Sequence, residues 1–97
     1  MDDRRCFLCG ANGAQDPLDK HHIFPGAYRK KSEKYGLVVY LCHSKCHIFG
    51  KMAVHQNAAQ MRRLKRYGQL IAMKEQGWTE QDFIREFGKS YLEEDEI

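Results

Sequence analysis

Apolar and polar positions change their period along the chain, and the changes predict its elements. Leu37-Val38-Val39-Tyr40-Leu41 is an unbroken run of β-branched, aromatic and aliphatic residues, which predicts a strand over 37–41 with Cys42 at its end. His21-His22-Ile23-Phe24, closed by Pro25-Gly26, predicts a second short strand or strand end that pairs antiparallel with it. Between them, Tyr28-Arg29-Lys30-Lys31-Ser32-Glu33-Lys34-Tyr35 has room for a helical turn but reads as a basic loop suited to phosphates. Asn12, Gly13, Asp16 and Pro17 predict a loop over 11–19. Residues 48–53 form a short linker around Gly50, and from about Val54 the pattern turns helical. Met61, Leu64, Gly68 and Ile71 recur at intervals of three and four, flanked by Arg62, Arg63, Lys65 and Arg66. Gly68 costs roughly 1 kcal/mol relative to Ala, unless it admits a close neighbour, and Gly77 ends the helix. Thr79-Glu80-Gln81-Asp82 resembles a capping box with Asp in place of Glu, opening a helix over 81–87 that Gly88 stops. Trp78, Phe83, Ile84 and Phe87 fold this helix back onto the first, and Tyr91 and Leu92 finish the core. The fold class is therefore α+β: an antiparallel hairpin and a helix, with an additional C-terminal helix.

Ninety-seven residues suit a single domain over 1–97, with a frayed start (1–5) and a disordered acidic end (93–97). A chain this short buries a modest share of its surface and gains from an added constraint such as a metal. The net charge of +3 hides a segregation. From Lys20 to Lys74 twelve bases face one acid, Glu33, while Glu93, Glu94, Asp95 and Glu96 mask the excess in the total. The natural partner of such a segment is a polyanion, most simply DNA. No stretch approaches a membrane span, and Met1-Asp2-Asp3-Arg4-Arg5-Cys6 lacks the apolar core of a signal peptide, which points to the cytoplasm. There, four cysteines are reduced metal ligands rather than disulfides.

Every histidine and cysteine falls between positions 6 and 55. Cys6-Phe7-Leu8-Cys9 followed by Gly10 reads as a zinc knuckle, and Cys42 with Cys46 completes four soft ligands for a closed structural zinc site. The three-residue gap in the second pair leaves His43 or His47 as a substitute for Cys46. His21, His22, His47 and His55 remain. Neighbouring side chains on an extended segment project to different sides, so His21 and His22 divide two jobs, one holding a metal and one taking a proton from water. A second metal on His21, His55 and His47 (Mg, Mn, Ni or Zn) would neutralise charge on a phosphodiester. Arg29, Lys30, Lys31 and Lys34, with Arg62, Arg63 and Arg66, would hold the DNA backbone.

A CxxC, then His-His-Ile, then an apolar strand ending in Leu-Cys, then Cys-His and a helix, resembles the HNH endonucleases of the ββα-metal (His-Me finger) class. His21-His22-Ile23-Phe24, the stretch from Arg29 to Leu37, Val54-His55 and Phe87-Gly88-Lys89-Ser90-Tyr91-Leu92 are similar to small phage-encoded members grouped with recombination-associated nucleases. The resemblance spans roughly residues 6 to 92. It implies a zinc-stapled ββα-metal core, with His22 as general base, His21 as a metal ligand, and His55, with His47 close behind, as the second ligand. Members usually carry an Asn near the second strand to orient the base. Here that neighbourhood reads Tyr35-Gly36-Leu37, and Asn57 lies in the wrong segment. The expectation is a metal-dependent DNA endonuclease, alone, as a homodimer or with a helper protein. Its rivals are a zinc-stabilised DNA-binding module without catalysis, which the missing Asn favours, and a zinc-held interaction protein.

Overall fold

The computed structural model describes residues 4–92; the expected acidic end and the first three residues of the expected frayed start lie outside them. The elements are β1 (Leu18–His22), α1 (Arg29–Lys34), β2 (Val38–Cys42), α2 (Ala58–Gln76) and α3 (Glu80–Phe87). A 3-10 turn, Gly26–Tyr28, leads into α1, and a single π turn, His43–Ile48, follows β2. The chain divides into two compact units. One comprises the N-terminal segment to His21 with Val38–Met61, the other His22–Leu37 with the segment from Arg62 onward.

In the first unit β1 and β2 form a two-stranded antiparallel sheet. His43 N–H donates to Pro17 C=O at one end (2.7 Å) and Ile23 N–H to Leu37 C=O at the other (3.0 Å), which sets Asp19 opposite Leu41 and His21 opposite Val39. The strand predicted over 21–24 thus starts earlier, at Leu18, because the ladder begins as soon as Pro17 is passed. It stops at His22 because Leu37 N–H, which would return to Ile23 C=O, donates to Ser32 C=O instead (2.7 Å). Val39, Leu41, Cys42, Cys46, Ala53 and Val54 are buried here. The helix expected from about Val54 begins only at Ala58. Val54 and His55 spend their N–H groups on Cys46 and His47 carbonyls (2.9 and 3.2 Å), and Asn57 Oδ1 accepts from Gln60 N–H (3.1 Å), capping the first turn of α2.

In the second unit the stretch read as a basic loop is instead the 3-10 turn and α1. Its Arg, Lys and Glu residues are good helix formers, and Gly36 at φ 72° ends it. Ser32 is fully buried and closes the return, its Oγ donating to Leu37 C=O (2.5 Å) while Leu37 N–H donates to Ser32 C=O (2.7 Å). Phe24 sits among Phe83, Phe87 and Tyr91, with ring centroids at 5.5, 4.7 and 5.7 Å. A Cβ on Gly68 would come within 2.8 Å of Ile23 and 3.0 Å of Phe24, so the helix glycine of the sequence pattern is a close-packing site. Buried Gln69 donates to Ser90 Oγ (3.1 Å) and accepts from Tyr91 N–H (2.7 Å). Thr79 and Asp82 form the expected capping box of α3, which Gly88 closes at φ 89°.

Candidate functional site

Two clusters of metal-ligating side chains stand in the first unit. Cys6, Cys9, Cys42 and Cys46 place their sulfurs within 4.8 Å of one another. The first pair comes from a tight turn: Gly10 N–H returns to Cys6 C=O (2.9 Å), Cys9 N–H points at Cys6 Sγ (3.4 Å), and Gly10 takes φ 80°. The second pair brackets the start of the π turn, Cys42 as the last residue of β2 and Cys46 four residues on. Phe7 N–H donates to Tyr40 C=O (2.8 Å), tying the knuckle to β2. Cys9 and Cys42 sulfurs are 3.5 Å apart. A tetrahedral zinc with Zn–S near 2.3 Å needs about 3.8 Å. Four thiols at this spacing could hold a metal such as zinc.

The thiols influence one another. Burial raises Cys6, but backbone N–H groups of Cys42, Cys9 and Leu8 and a hydrogen bond with Cys46 outweigh it and bring Cys6 down to about 6. Burial first, then hydrogen bonds and charge from Cys9 and Cys6, push Cys42 up to about 12, and Cys46 rises for the same reasons. One thiolate forms readily and resists the next, which is the electrostatics of a site for a dication.

The second cluster is His21, His47 and His55, whose nitrogens also lie within 4.8 Å of one another. Ring centroids are 5.2 Å apart for His21 and His47, 5.6 Å for His21 and His55, and 4.8 Å for His47 and His55. His21 comes from β1 and is buried, His47 from the π turn, and His55 from the segment ahead of α2. Partial burial and the neighbouring His47 charge lower the pKa of His55, favouring the neutral, ligating form. Three imidazole nitrogens at this spacing could hold a metal ion. The sequence ranked His47 behind His55, and the fold brings in both. His43, weighed as a substitute for Cys46, turns away to Asp19.

Two acids that sequence reasoning passed over serve these clusters. Asp19 Oδ2 accepts from Nδ1 of His47 (2.9 Å) and of His43 (2.7 Å), and fixes the orientation of the His47 ring. Burial raises Asp19, but these histidine bonds and charges hold it below the ordinary carboxylate value. Asp16 accepts from the Ser44 and Lys45 N–H groups (both 3.0 Å), capping the π turn, and those amides depress its pKa. Asp19 was legible once β1 reached Leu18, since it lies two residues before His21 on the same face; the predicted loop over 11–19 concealed it.

In the second unit, His22 Nε2 lies 2.7 Å from Glu33 Oε1. Among the expected phosphate-binding residues, Arg29, Lys30 and Lys34 on α1 and Arg62, Arg63 and Arg66 on α2 are exposed. Lys31 is different: its Nζ donates to Glu86 C=O (2.9 Å) and pairs with Glu86 Oε1 (3.3 Å), binding α1 to α3.

Fold and clusters define the class: a small α+β protein with a two-stranded antiparallel hairpin, helices and a four-cysteine cluster able to hold a metal. No protein-family model, curated protein or solved structure matches the chain. Among the described residues no helix is long and apolar enough to cross a membrane.

Proposed function

We propose that this chain is a metal-dependent DNA endonuclease of the HNH kind, acting in phage DNA processing or recombination. The observation that carries the reading is the convergence of His21, His47 and His55 on one small volume, with His22 next in the chain after the buried ligand. His21, His47 and His55 would hold a divalent ion, which would supply positive charge as the scissile phosphate and the leaving oxygen become more negative. His22 accepts the proton of the attacking water as general base. Arg29, Lys30 and Lys34, with Arg62, Arg63 and Arg66, neutralise backbone phosphates without reading bases. The four cysteines would hold a structural zinc and take no part in the reaction.

The experiment is incubation of supercoiled plasmid with protein stripped of loosely bound metal, adding back Mg2+, Mn2+, Ni2+ or Zn2+, beside His22→Ala. Nicking or linearisation that needs a metal and vanishes in the variant is the expected result. Plasmid left intact by every metal, with a gel shift retained, would replace the nuclease by a zinc-stabilised DNA-binding module.

A further inference from the structure

We propose that Glu33 is the positioning residue for His22, taking the place of the asparagine that HNH proteins use; the inference rests on His22 being the general base. Glu33 Oε1 stands 2.7 Å from His22 Nε2, and the imidazole is largely enclosed, its side chain 12% exposed. A neutral imidazole has one donor and one acceptor nitrogen, and an ionised carboxylate only accepts. Glu33 therefore selects the tautomer with the proton on Nε2 and leaves the lone pair of Nδ1 to take a proton from water. The same division of labour makes an acid behind a histidine worth orders of magnitude in hydrolases.

The carboxylate is half exposed at 52%, yet its backbone is fixed on both sides. Ser32, the residue before, is buried and bonded to Leu37 and Phe24, Lys31 is bonded to Glu86, and Gly36 N–H donates to Glu33 C=O (3.2 Å). Sequence supplies an independent argument. Glu33 is the one acid among twelve bases between Lys20 and Lys74. A carboxylate in a phosphate-binding stretch weakens DNA affinity, so its presence calls for a local role, and the bond to His22 provides one.

Two measurements test this. The first is the two-bond nitrogen–proton spectrum of the His22 ring in 15N-labelled wild-type protein and Glu33→Gln at pH 8, where an ordinary imidazole is neutral. Wild type is expected in the Nε2–H form, and the variant, whose amide can donate to Nε2, shifted towards Nδ1–H. The second is plasmid cleavage: Glu33→Gln should lower kcat at least about 10-fold with KM unchanged, and Glu33→Asp should recover part of the loss. Wild-type His22 in the Nδ1–H form, or Glu33→Gln with the wild-type tautomer and kcat, would overturn the role of Glu33. If wild-type protein cleaves nothing with any metal, the nuclease reading falls by itself, and the spectrum alone decides whether Glu33 sets the tautomer.

Discussion

Removing the metal from the cysteine cluster should cost this protein a large share of its stability. The magnitude follows from geometry and mass action. The backbone already holds Cys9 and Cys42 sulfurs 3.5 Å apart, against about 3.8 Å in a tetrahedral zinc site, so little binding energy is lost to rearrangement. An ion present at 1,000 times its dissociation constant stabilises the folded state by about 4 kcal/mol. For a chain of this size each kcal/mol moves the melting temperature by roughly 4–8 °C, so chelation should lower it by roughly 15–30 °C. Cys46→Ser, which changes volume little at a buried position, should give most of the same loss with zinc present. The pKa values add a second reading. At pH 7 Cys6, at about 6, is mostly ionised, whereas Cys42, at about 12, and Cys46, also raised, carry protons that zinc must expel. Loading should release at least two protons, visible by calorimetry in buffers of different ionisation enthalpy, and affinity should fall about a hundredfold per pH unit on acidification. A melting temperature that drops by less than about 3 °C on chelation, or binding heats independent of buffer, would refute the staple.

Gly68→Ala should destabilise, although alanine is the better helix former by roughly 1 kcal/mol; the new methyl would press on Ile23 and Phe24, an overpacking that costs about 1–3 kcal/mol, and a raised urea midpoint would contradict that close contact. Asp19→Asn should weaken metal binding at the histidine cluster 10- to 100-fold and leave the cysteine cluster unchanged, as titration calorimetry would read. Because the folded pKa of Asp19 lies below its unfolded value, its contribution to stability is complete above the ordinary carboxylate range and disappears only as pH falls through the depressed value. Arg62→Ala with Arg63→Ala should weaken DNA binding uniformly across sequences and reduce the slope of log affinity against log salt by about 2; an unaltered slope would show that this face of α2 does not meet phosphate.

The sequence carried the elements where a single local rule governs them. Thr79, Asp82 and Gly88 marked α3 because capping is decided within four residues, and the run to Leu41 marked β2 because its side chains leave no other period. It failed where tertiary bonds decide. Ser32 locks the helix-forming basic stretch in place by bonding Leu37 and Phe24, and Val54 and His55 are kept out of α2 by bonds to Cys46 and His47. The cysteine set and the three histidines were legible from spacing and residue type. Asp19 was hidden by the loop predicted over 11–19, and Asp16 and Glu33 were not legible, since an acid that caps a turn or bonds a histidine has no motif of its own. The lone acid in the basic segment was the one available hint.

The two clusters share one piece of backbone, and that sharing predicts an asymmetry. Cys46 and His47 are consecutive residues of the π turn, one directed to each cluster. Val54 N–H holds Cys46 C=O and His55 N–H holds His47 C=O, so the turn positions two of the three imidazoles. A thiol-bound ion would clamp that turn through Cys42, the residue before it, and Cys46, inside it. Its loss should therefore loosen the histidine cluster. Loss of the His47 ring removes one imidazole but leaves the carbonyls and all four sulfurs in place. With Co2+ as probe, His47→Ala should keep the thiolate-to-cobalt absorption and its titration midpoint. Cys46→Ser should lose that absorption and also weaken a second equivalent of cobalt at the histidines by at least about 10-fold. A second equivalent bound by Cys46→Ser as tightly as by wild type would show that the clusters are independent, and that the shared turn is rigid without its metal.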